Sequence, residues 1–237
     1  MPPYVFPAPA TTLLSFSELC VDPSSTNTVI LADATQARSK LRNALKDVEA
    51  KNADWLIVLD SVQGYLPYLL GVINSLEADD LLPRNEPNEL NPFRLSPAFP
   101  WKSVITSSSM GSSSMQNLPA FGSELVMTLT CYAAALSNLA SDTLRDPQSS
   151  GYTGSGDRHR ITSTAEDKRK IDKLAQAADM LCRASGLFDY VAQTLLPTWE
   201  ARIADSTDVK SGALRLGKGK ARMPGEFSRD VQRALAM

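Results

Sequence analysis

The stretch GSELVMTLTCYAAALSNLASDTL, residues 122–144, decides the fold class. It is rich in alanine and leucine, and apolar residues fall on nearly every side of the helix that it predicts, as in a helix buried between neighbours. Its most apolar part, Leu125 to Ala140, is interrupted by Thr128, Thr130 and Ser137, and is shorter than the roughly 20 residues that span a bilayer. We therefore predict a core helix of a mainly helical protein, and not a membrane span.

Two further helices are predicted before this stretch. The first is Asp33 to Ala50, where Asp33 caps the N-terminus and apolar residues recur at helical spacing. The second is the apolar run from Trp55 to Leu76. Because Gly64 and Pro67 lie inside this run, we expect the second helix to be bent or split.

Two more helices are predicted after the central stretch. Ser163, with Glu166 three residues later, forms a capping-box pattern, and Pro197 is expected to stop the helix that follows. Its apolar stripe is the strongest periodic pattern in the chain: Ile171, Leu174, Ala178, Leu181, Ser185, Phe188, Val191 and Leu195. A last capped stretch, Ser228 to Met237, predicts the beginning of a fifth helix.

Three segments lack helical periodicity and are predicted to be loops or disordered inserts, at about residues 82–121, 145–162 and 203–227. Within the first, Ala98 to Ile105 contains aromatic and β-branched residues that favour a short strand against the helices. The fold class expected from these patterns is mainly α with a small β element.

Composition disfavours a nucleic-acid-binding function and indicates the cellular setting. The formal net charge of −2 provides no field for gathering nucleic acid. The three cysteines, Cys20, Cys131 and Cys182, form no close pair, which favours a reducing, cytoplasmic setting. Cys131 and Cys182 lie among apolar residues of predicted helices, where we expect inert thiols. The proline-rich N-terminus lacks the pattern of a secretory signal.

No motif predicts catalysis, a metal or a cofactor. Residues 212–219, GALRLGKG, follow the phosphate-binding GxxxxGK frame, but Gly219 supplies no hydroxyl for magnesium and no apolar strand precedes the motif. Nucleotide binding is kept only as a disfavoured alternative to a surface loop. His159 is the single histidine, which excludes metal sites of the HExxH type. The basic segment Lys210 to Arg222 fits a solvated linker or a contact with anionic lipid.

Several stretches, in chain order, resemble the BRO1 domain, the helical module that recruits adaptors to ESCRT-III polymers. They are Phe99 to Lys102 (FPWK), Glu124 to Ala140 (ELVMTLTCYAAALSNLA), Ala184 to Tyr190 (ASGLFDY) and Pro224 to Met237 (PGEFSRDVQRALAM). Within this family, the segments Pro3 to Pro7, Leu14 to Phe16 and Tyr65 to Leu69 are most similar to a fungal regulator of ambient-pH signalling.

This resemblance implies an elongated BRO1-like domain with tetratricopeptide-like helix packing and a small sheet near its N-terminus. Residues 1–237 would form the N-terminal part of that domain. It also implies a non-enzymatic adaptor that binds a Snf7-type ESCRT-III subunit and other pH-signalling components. Such a scaffold helps assemble the complex that leads to proteolytic activation of a transcription factor. It would be cytoplasmic and recruited through partners to the cell cortex or endosomal membranes.

The family binds ESCRT-III through an apolar patch, which here implies Phe188, Val191, Val231 and Leu235 as candidates for receiving an amphipathic helix. For all four residues, packing in the core is the alternative interpretation. The alternative for the whole chain is a helical structural fragment that does not bind a partner, since the patch of the family is built largely from helices at and beyond Met237.

Overall fold

Helices dominate the computed structural model, which describes residues 5–51, 54–84, 98–103, 105, 115–145, 164–205 and 224–237. The described helices are α1 (Phe16–Leu19), α2 (Thr28–Glu49), α3 (Trp55–Glu77), α4 (Ala120–Arg145), α5 (Thr164–Tyr190), α6 (Leu196–Asp205) and α7 (Arg229–Ala236). Helices that follow one another along the chain pack together: α2 on α3, α3 on α4, and α4 on α5. The predicted mainly α fold is confirmed.

Short strands form two small antiparallel sheets. The strands are β1 (Ala10–Thr11), β2 (Cys20–Val21), β3 (Leu82–Pro83), β4 (Ala98–Lys102) and β5 (Met115–Pro119). One sheet has the order β1-β4-β5, and the other pairs β2 with β3. Strand β4 lies in the predicted stretch. The other four strands were not predicted, because they are very short or contain polar residues and proline, and they pair only through long-range contacts.

Helix α2 begins at Thr28, five residues before the predicted cap. Asp33 therefore lies inside the helix, and the prediction that it caps the N-terminus is wrong. The side chain of Asp22 instead orders the turn before the helix, where its Oδ2 accepts a hydrogen bond of 2.7 Å from the backbone N–H of Asn27. This bond and those from neighbouring serines hold the pKa of the Asp22 carboxyl below its usual value, although desolvation acts in the opposite direction.

Helix α3 is one helix and is not split at Gly64 or Pro67. Asp54 caps it, since its Oδ1 accepts hydrogen bonds from the backbone N–H groups of Leu56 and Ile57. Proline inside a helix removes one backbone hydrogen bond. The helix continues because one face is buried against its neighbours, and this packing offsets the loss.

The predicted stop at Pro197 is also wrong, because the helical chain continues from α5 into α6. Between them, Val191–Leu195 forms a π-helical turn, in which the N–H of Leu196 bonds the carbonyl of Val191. Pro197 has no N–H with which to continue the regular bonding pattern, and a wide turn accommodates its ring. The predicted cap at Ser163 lies outside the described residues.

Helix α4 is the centre of the core, as predicted, and 17 of its residues are buried. In its first half, helix α5 buries a face different from the predicted stripe: Ala177, Met180 and Ala184 are buried, whereas Ile171, Leu174 and Leu181 are exposed. At the end of the stripe, Phe188 and Val191 are buried. Helix α7 packs against α5, and the hydroxyl of Ser185 donates a 2.5 Å hydrogen bond to the carbonyl of Ala236. The periodicity identified the helix correctly, but it identified the buried face only in the second half of the stripe.

Glycine at position 122 is required by a close approach of two helices. A Cβ atom on Gly122 would lie 2.5 Å from Cδ1 of Trp199, which belongs to α6. We therefore expect Gly122→Ala to displace the indole and to lower the free energy of unfolding by about 1–3 kcal/mol. Equilibrium urea unfolding measures the stability, and tryptophan fluorescence reports the displacement.

Gly64→Ala is the matched control, because a Cβ atom on Gly64 meets nothing within 4 Å in α3. The better helix propensity of alanine should raise the free energy of unfolding by about 0.5–1 kcal/mol. Glycine-to-alanine substitution is thus expected to lower the free energy of unfolding at position 122 and to raise it at position 64. Equal effects would show that Trp199 does not pack against Gly122 as described.

Candidate protein-binding site

The four candidate residues for partner binding lie close to the junction of α5 and α7, but they differ in exposure. Phe188 is 2% exposed and Val191 0% exposed, so both side chains belong to the core. Val231 and Leu235 are half-buried on α7. Among the four, only Val231 and Leu235 present apolar surface that a partner could contact in this structure.

Helix α7 is anchored by a fully buried glutamine. The Nε2 group of Gln232 donates hydrogen bonds to Oγ1 of Thr130 at 3.0 Å and to the carbonyl of Glu226 at 2.8 Å. Arg229, the first residue of α7, also forms an ion pair with the side chain of Glu200 in α6. These contacts fix α7 against α4 and thereby set the orientation of Leu235.

Glu226, just before α7, is also fully buried. Its two carboxylate oxygens accept hydrogen bonds of 2.9 and 2.7 Å from the hydroxyl of Ser103, and the N–H of Ile105 donates a third at 3.3 Å. Ser103 and Ile105 come directly after β4, so these hydrogen bonds hold the turn before α7, which contains Glu226, next to the sheet. A buried carboxylate bonded in this way is a structural contact.

The N-terminal segment reaches the same region through Phe6. Asn138 of α4 binds the backbone of Phe6 at both ends: the N–H donates to Oδ1 at 2.8 Å, and Nδ2 donates to the carbonyl at 3.0 Å. The ring of Phe6 lies 6.0 Å from the ring of Phe188. The segments around Phe6 and Phe188, which both carry the resemblance, therefore contact each other. The Phe6 segment is also bonded to Asn138, which lies in the third such stretch, Glu124 to Ala140.

A second group of side chains, the Glu124 cluster, is buried where α2, α3, α4 and β4 meet. Oε1 of Glu124 accepts hydrogen bonds from Nε of Arg38 at 2.8 Å and from the hydroxyl of Tyr65 at 2.9 Å. Its Oε2 accepts a 2.6 Å bond from Nε1 of Trp101. Arg38 also donates to Oγ1 of Thr11 at 2.6 Å. All five side chains are buried and hydrogen-bonded to one another.

The electrostatics of the Glu124 cluster are those of a buried ion pair. Burial and the neighbouring Glu124 carboxylate hold the pKa of Tyr65 well above its usual value, although Arg38 acts in the opposite direction. Burial lowers the pKa of Arg38, but Glu124 outweighs this and the net direction is upward. The raised pKa values keep Tyr65 protonated and Arg38 charged, so both remain hydrogen-bond donors to Glu124 and the cluster acts as structural support.

Arg38, Glu124, Glu226 and Gln232 were not predicted as special positions. The sequence nevertheless contains a pattern that could have found two of them. Arg38 occupies a core position of the α2 stripe, between Ala34 and Leu41, and Glu124 directly precedes the most apolar part of α4. A charged residue at a core position requires a buried partner of opposite charge. The pattern alone does not identify which partner it has.

The cysteine predictions have different outcomes. Cys131 is buried, and burial raises the pKa of its thiol to about 12. Cys20 is buried too, and its pKa is raised to about 11 for the same reason, in spite of Arg84. Cys182 is exposed on α5, so the expectation that it packs among apolar residues is wrong.

No group of three or more potential metal ligands converges within the part of the chain that the structure describes. His159 and the glycine-rich residues 212–219 lie outside that part. Two helices, α3 and α4, are long and apolar enough to cross a membrane by length and composition. Helix α4 is mostly buried inside the protein, as expected of a core helix.

These observations define a mainly helical protein with a small β element, in which the clustered polar groups are buried and support the packing of helices. Over its entire length, the chain is 39% identical across 239 aligned residues to the pH-response regulator protein palC of Cryptococcus neoformans var. neoformans serotype D. The chain spans 45% of that protein. The predicted resemblance to a fungal pH-response regulator is thereby confirmed.

No protein-family model matches the sequence. No solved structure matches it either. The BRO1 domain itself therefore stays a prediction from the motifs, whereas the similarity to the pH-response regulator extends from one end of the chain to the other.

Proposed function

We propose that the protein is an adaptor of ambient-pH signalling and not an enzyme. The observation that carries this proposal is the 39% identity to the pH-response regulator palC along the whole chain. The proposal includes a BRO1-like domain that binds a Snf7-type ESCRT-III subunit and helps assemble the complex in which a pH-responsive transcription factor is activated by proteolysis. The protein would be cytoplasmic and recruited to the cell cortex or endosomal membranes through its partners.

The surface around α7 supports a contact with an amphipathic helix. Val231 and Leu235 lie half-buried on the same helix, which Gln232 holds on α4. Beside them, α5 continues with exposed apolar residues, among them Leu181. An apolar strip of this kind between two helices is the type of surface that binds an amphipathic helix through anchors at helical spacing.

The test is a binding titration of the purified chain with the C-terminal helix of a Snf7-type ESCRT-III subunit. We expect saturable binding with a Kd on the order of micromolar, weakened at least about tenfold by Leu235→Asp. The matched control is Leu13→Asp, because Leu13 is exposed on the N-terminal segment and its change should leave binding unaltered. Circular dichroism shows whether each variant is folded.

A well-folded chain that does not bind this helix would contradict the proposed partner. It would favour the alternative, a structural fragment without partner binding. The two alternatives also differ in cooperativity: an intact module unfolds in one sharp transition, whereas an incomplete core binds hydrophobic dye and aggregates.

A further inference from the structure

A second apolar surface lies on the side of α4 between α3 and α5. Helix α4 packs against both of these helices, and a groove of about 640 Å³ runs along it with α3 and α5 as its walls. The groove is lined by Tyr132, Leu136 and Leu139 of α4 and by Met180 of α5, of which Leu136 and Met180 are buried at its floor. It is open to solvent along its length, which distinguishes it from an enclosed small-molecule cavity.

The α3 wall of this groove carries large apolar side chains that face solvent. Leu56 is 58% exposed and Ile57 48% exposed, and both line the groove. Solvent-facing sides of helices normally carry charged residues. From Trp55 to Leu76, however, Asp60 is the only charged residue. Such a surface next to a groove is typical of a site for protein contact.

The charges in the groove leave one uncompensated carboxylate. Nη2 of Arg183 lies 2.9 Å from Oδ2 of Asp179, so these two lining residues neutralise each other. Asp60 lines the groove as well, and within the described residues it has no hydrogen-bond or ion-pair partner. The groove thus offers apolar surface together with one free negative charge, which favours an occupant with a positive charge at the matching position.

The dimensions of the groove fit a short helix. Its lining residues extend from Leu56 to Gln63 on α3, from Tyr132 to Leu139 on α4, and from Gln176 to Arg183 on α5. Each of these segments makes about two helical turns, or about 10 Å. Two turns of a bound helix present three apolar residues, at positions i, i+3 or i+4, and i+7, to such a surface.

We propose that this groove binds an amphipathic helix of a partner protein, through three apolar anchors and a Lys or Arg side chain that pairs with Asp60. A second copy of this chain fits less well, because a symmetric contact centred on the groove brings Asp60 close to its own copy, and like charges repel. An anionic membrane surface is disfavoured for the same reason. This site is separate from the α7 surface and does not rest on the proposed function.

The experiment uses two labelled synthetic peptides of about 15 residues, long enough to form a helix in the groove. They share three leucines at i, i+4 and i+7, and differ only in a Lys or a Glu at the position that faces Asp60. Fluorescence anisotropy with the full chain should give a Kd on the order of tens of micromolar for the Lys peptide, and at least about tenfold weaker binding for the Glu peptide.

Four variants, two in the groove and two outside it, locate the binding. Ile57→Asp should weaken binding of the Lys peptide at least about tenfold. Asp60→Lys should reverse the preference, so that the Glu peptide binds more tightly than the Lys peptide. Val29→Asp is the control, because Val29 is an exposed apolar residue of α2 that does not line the groove. The Leu235→Asp variant should bind the Lys peptide with the affinity of the unchanged chain, because Leu235 belongs to the α7 surface and not to the groove. Urea unfolding shows whether each variant is folded.

Several results would overturn the proposal. Absence of binding, equal affinity for both peptides, or unchanged binding by a folded Ile57→Asp variant would each do so. Light scattering could instead show a concentration-dependent dimer that is absent in the Ile57→Asp variant. In that case the occupant of the groove would be a second copy of the chain, and the proposed partner helix would be wrong.

Discussion

The Glu124→Ala substitution is expected to lower the free energy of unfolding by about 3–5 kcal/mol, the range for breaking a buried ion pair by removing one partner. Without the carboxylate, the guanidinium of Arg38 stays buried without its counter-ion, and the hydroxyl of Tyr65 and the indole N–H of Trp101 lose their acceptor. Each unpaired buried donor adds its own desolvation cost. Equilibrium urea unfolding followed by far-ultraviolet circular dichroism measures the loss.

Glu49→Ala is the matched control, because Glu49 also pairs with a cation. Its Oε1 lies 3.3 Å from Nζ of Lys102, but its side chain is half exposed. A surface pair of this kind contributes about 0–1 kcal/mol. If Glu124→Ala cost no more than Glu49→Ala, the description of the Glu124 cluster as a buried ion pair would be wrong.

The double variant Arg38→Met with Glu124→Met tests the cause of the loss. Removing both charges leaves no buried ion without a partner, so the double change should cost less than the sum of the two single changes. Additive losses would mean that packing, and not the ion pair, dominates at these two positions.

Phe188→Ala is expected to lower the free energy of unfolding by about 3–5 kcal/mol, the range for removing a buried phenylalanine side chain from a core. Phe188 is buried between α4 and the N-terminal segment, where its ring meets that of Phe6. Tyr190→Ala is the control, because Tyr190 is exposed two residues further along the same helix and should change stability by no more than about 0.5 kcal/mol. Urea unfolding of both variants measures the difference.

A loss for Phe188→Ala no larger than that for Tyr190→Ala would show that the ring of Phe188 is not in the core, and would leave it free to contact a partner. The large loss that we expect has a practical consequence for the binding experiments. A substitution at Phe188 or Val191 would reduce partner binding merely by unfolding the protein, so Leu235 is the informative position on this surface.

The stretches that carry the family resemblance are far apart in the sequence, and the structure joins them through specific contacts. Trp101 of the FPWK stretch donates to Glu124 of the central helix, and Tyr65 of α3 donates to the same carboxylate. Glu226 of the last stretch accepts a hydrogen bond from Ser103, just after β4. The residues that identify the fold are therefore largely residues that hold its helices and sheet together.

The sequence by itself determined the helical class, the central position of α4 and the existence of every long helix, because burial on one or more sides leaves a periodic apolar pattern. It also placed β4 correctly. Local patterns were less able to predict where helices begin and end. Asp33 and Pro197 have the chemistry of a cap and a stop, but the Asp22 turn and the π-helical turn at Val191 override them.

Only the tertiary structure decided which faces are covered and which polar groups meet. The first half of the α5 stripe, with Ile171 and Leu174, has the spacing of a core face, yet the neighbouring face with Ala177 and Met180 is the one buried, and this half of the stripe stays exposed. Arg38 and Glu124 are separated by 86 positions in the chain, and no local pattern pairs them. The spacing of apolar residues along the sequence indicates which side chains are suited to burial. Which element buries them is determined by long-range packing of the whole chain.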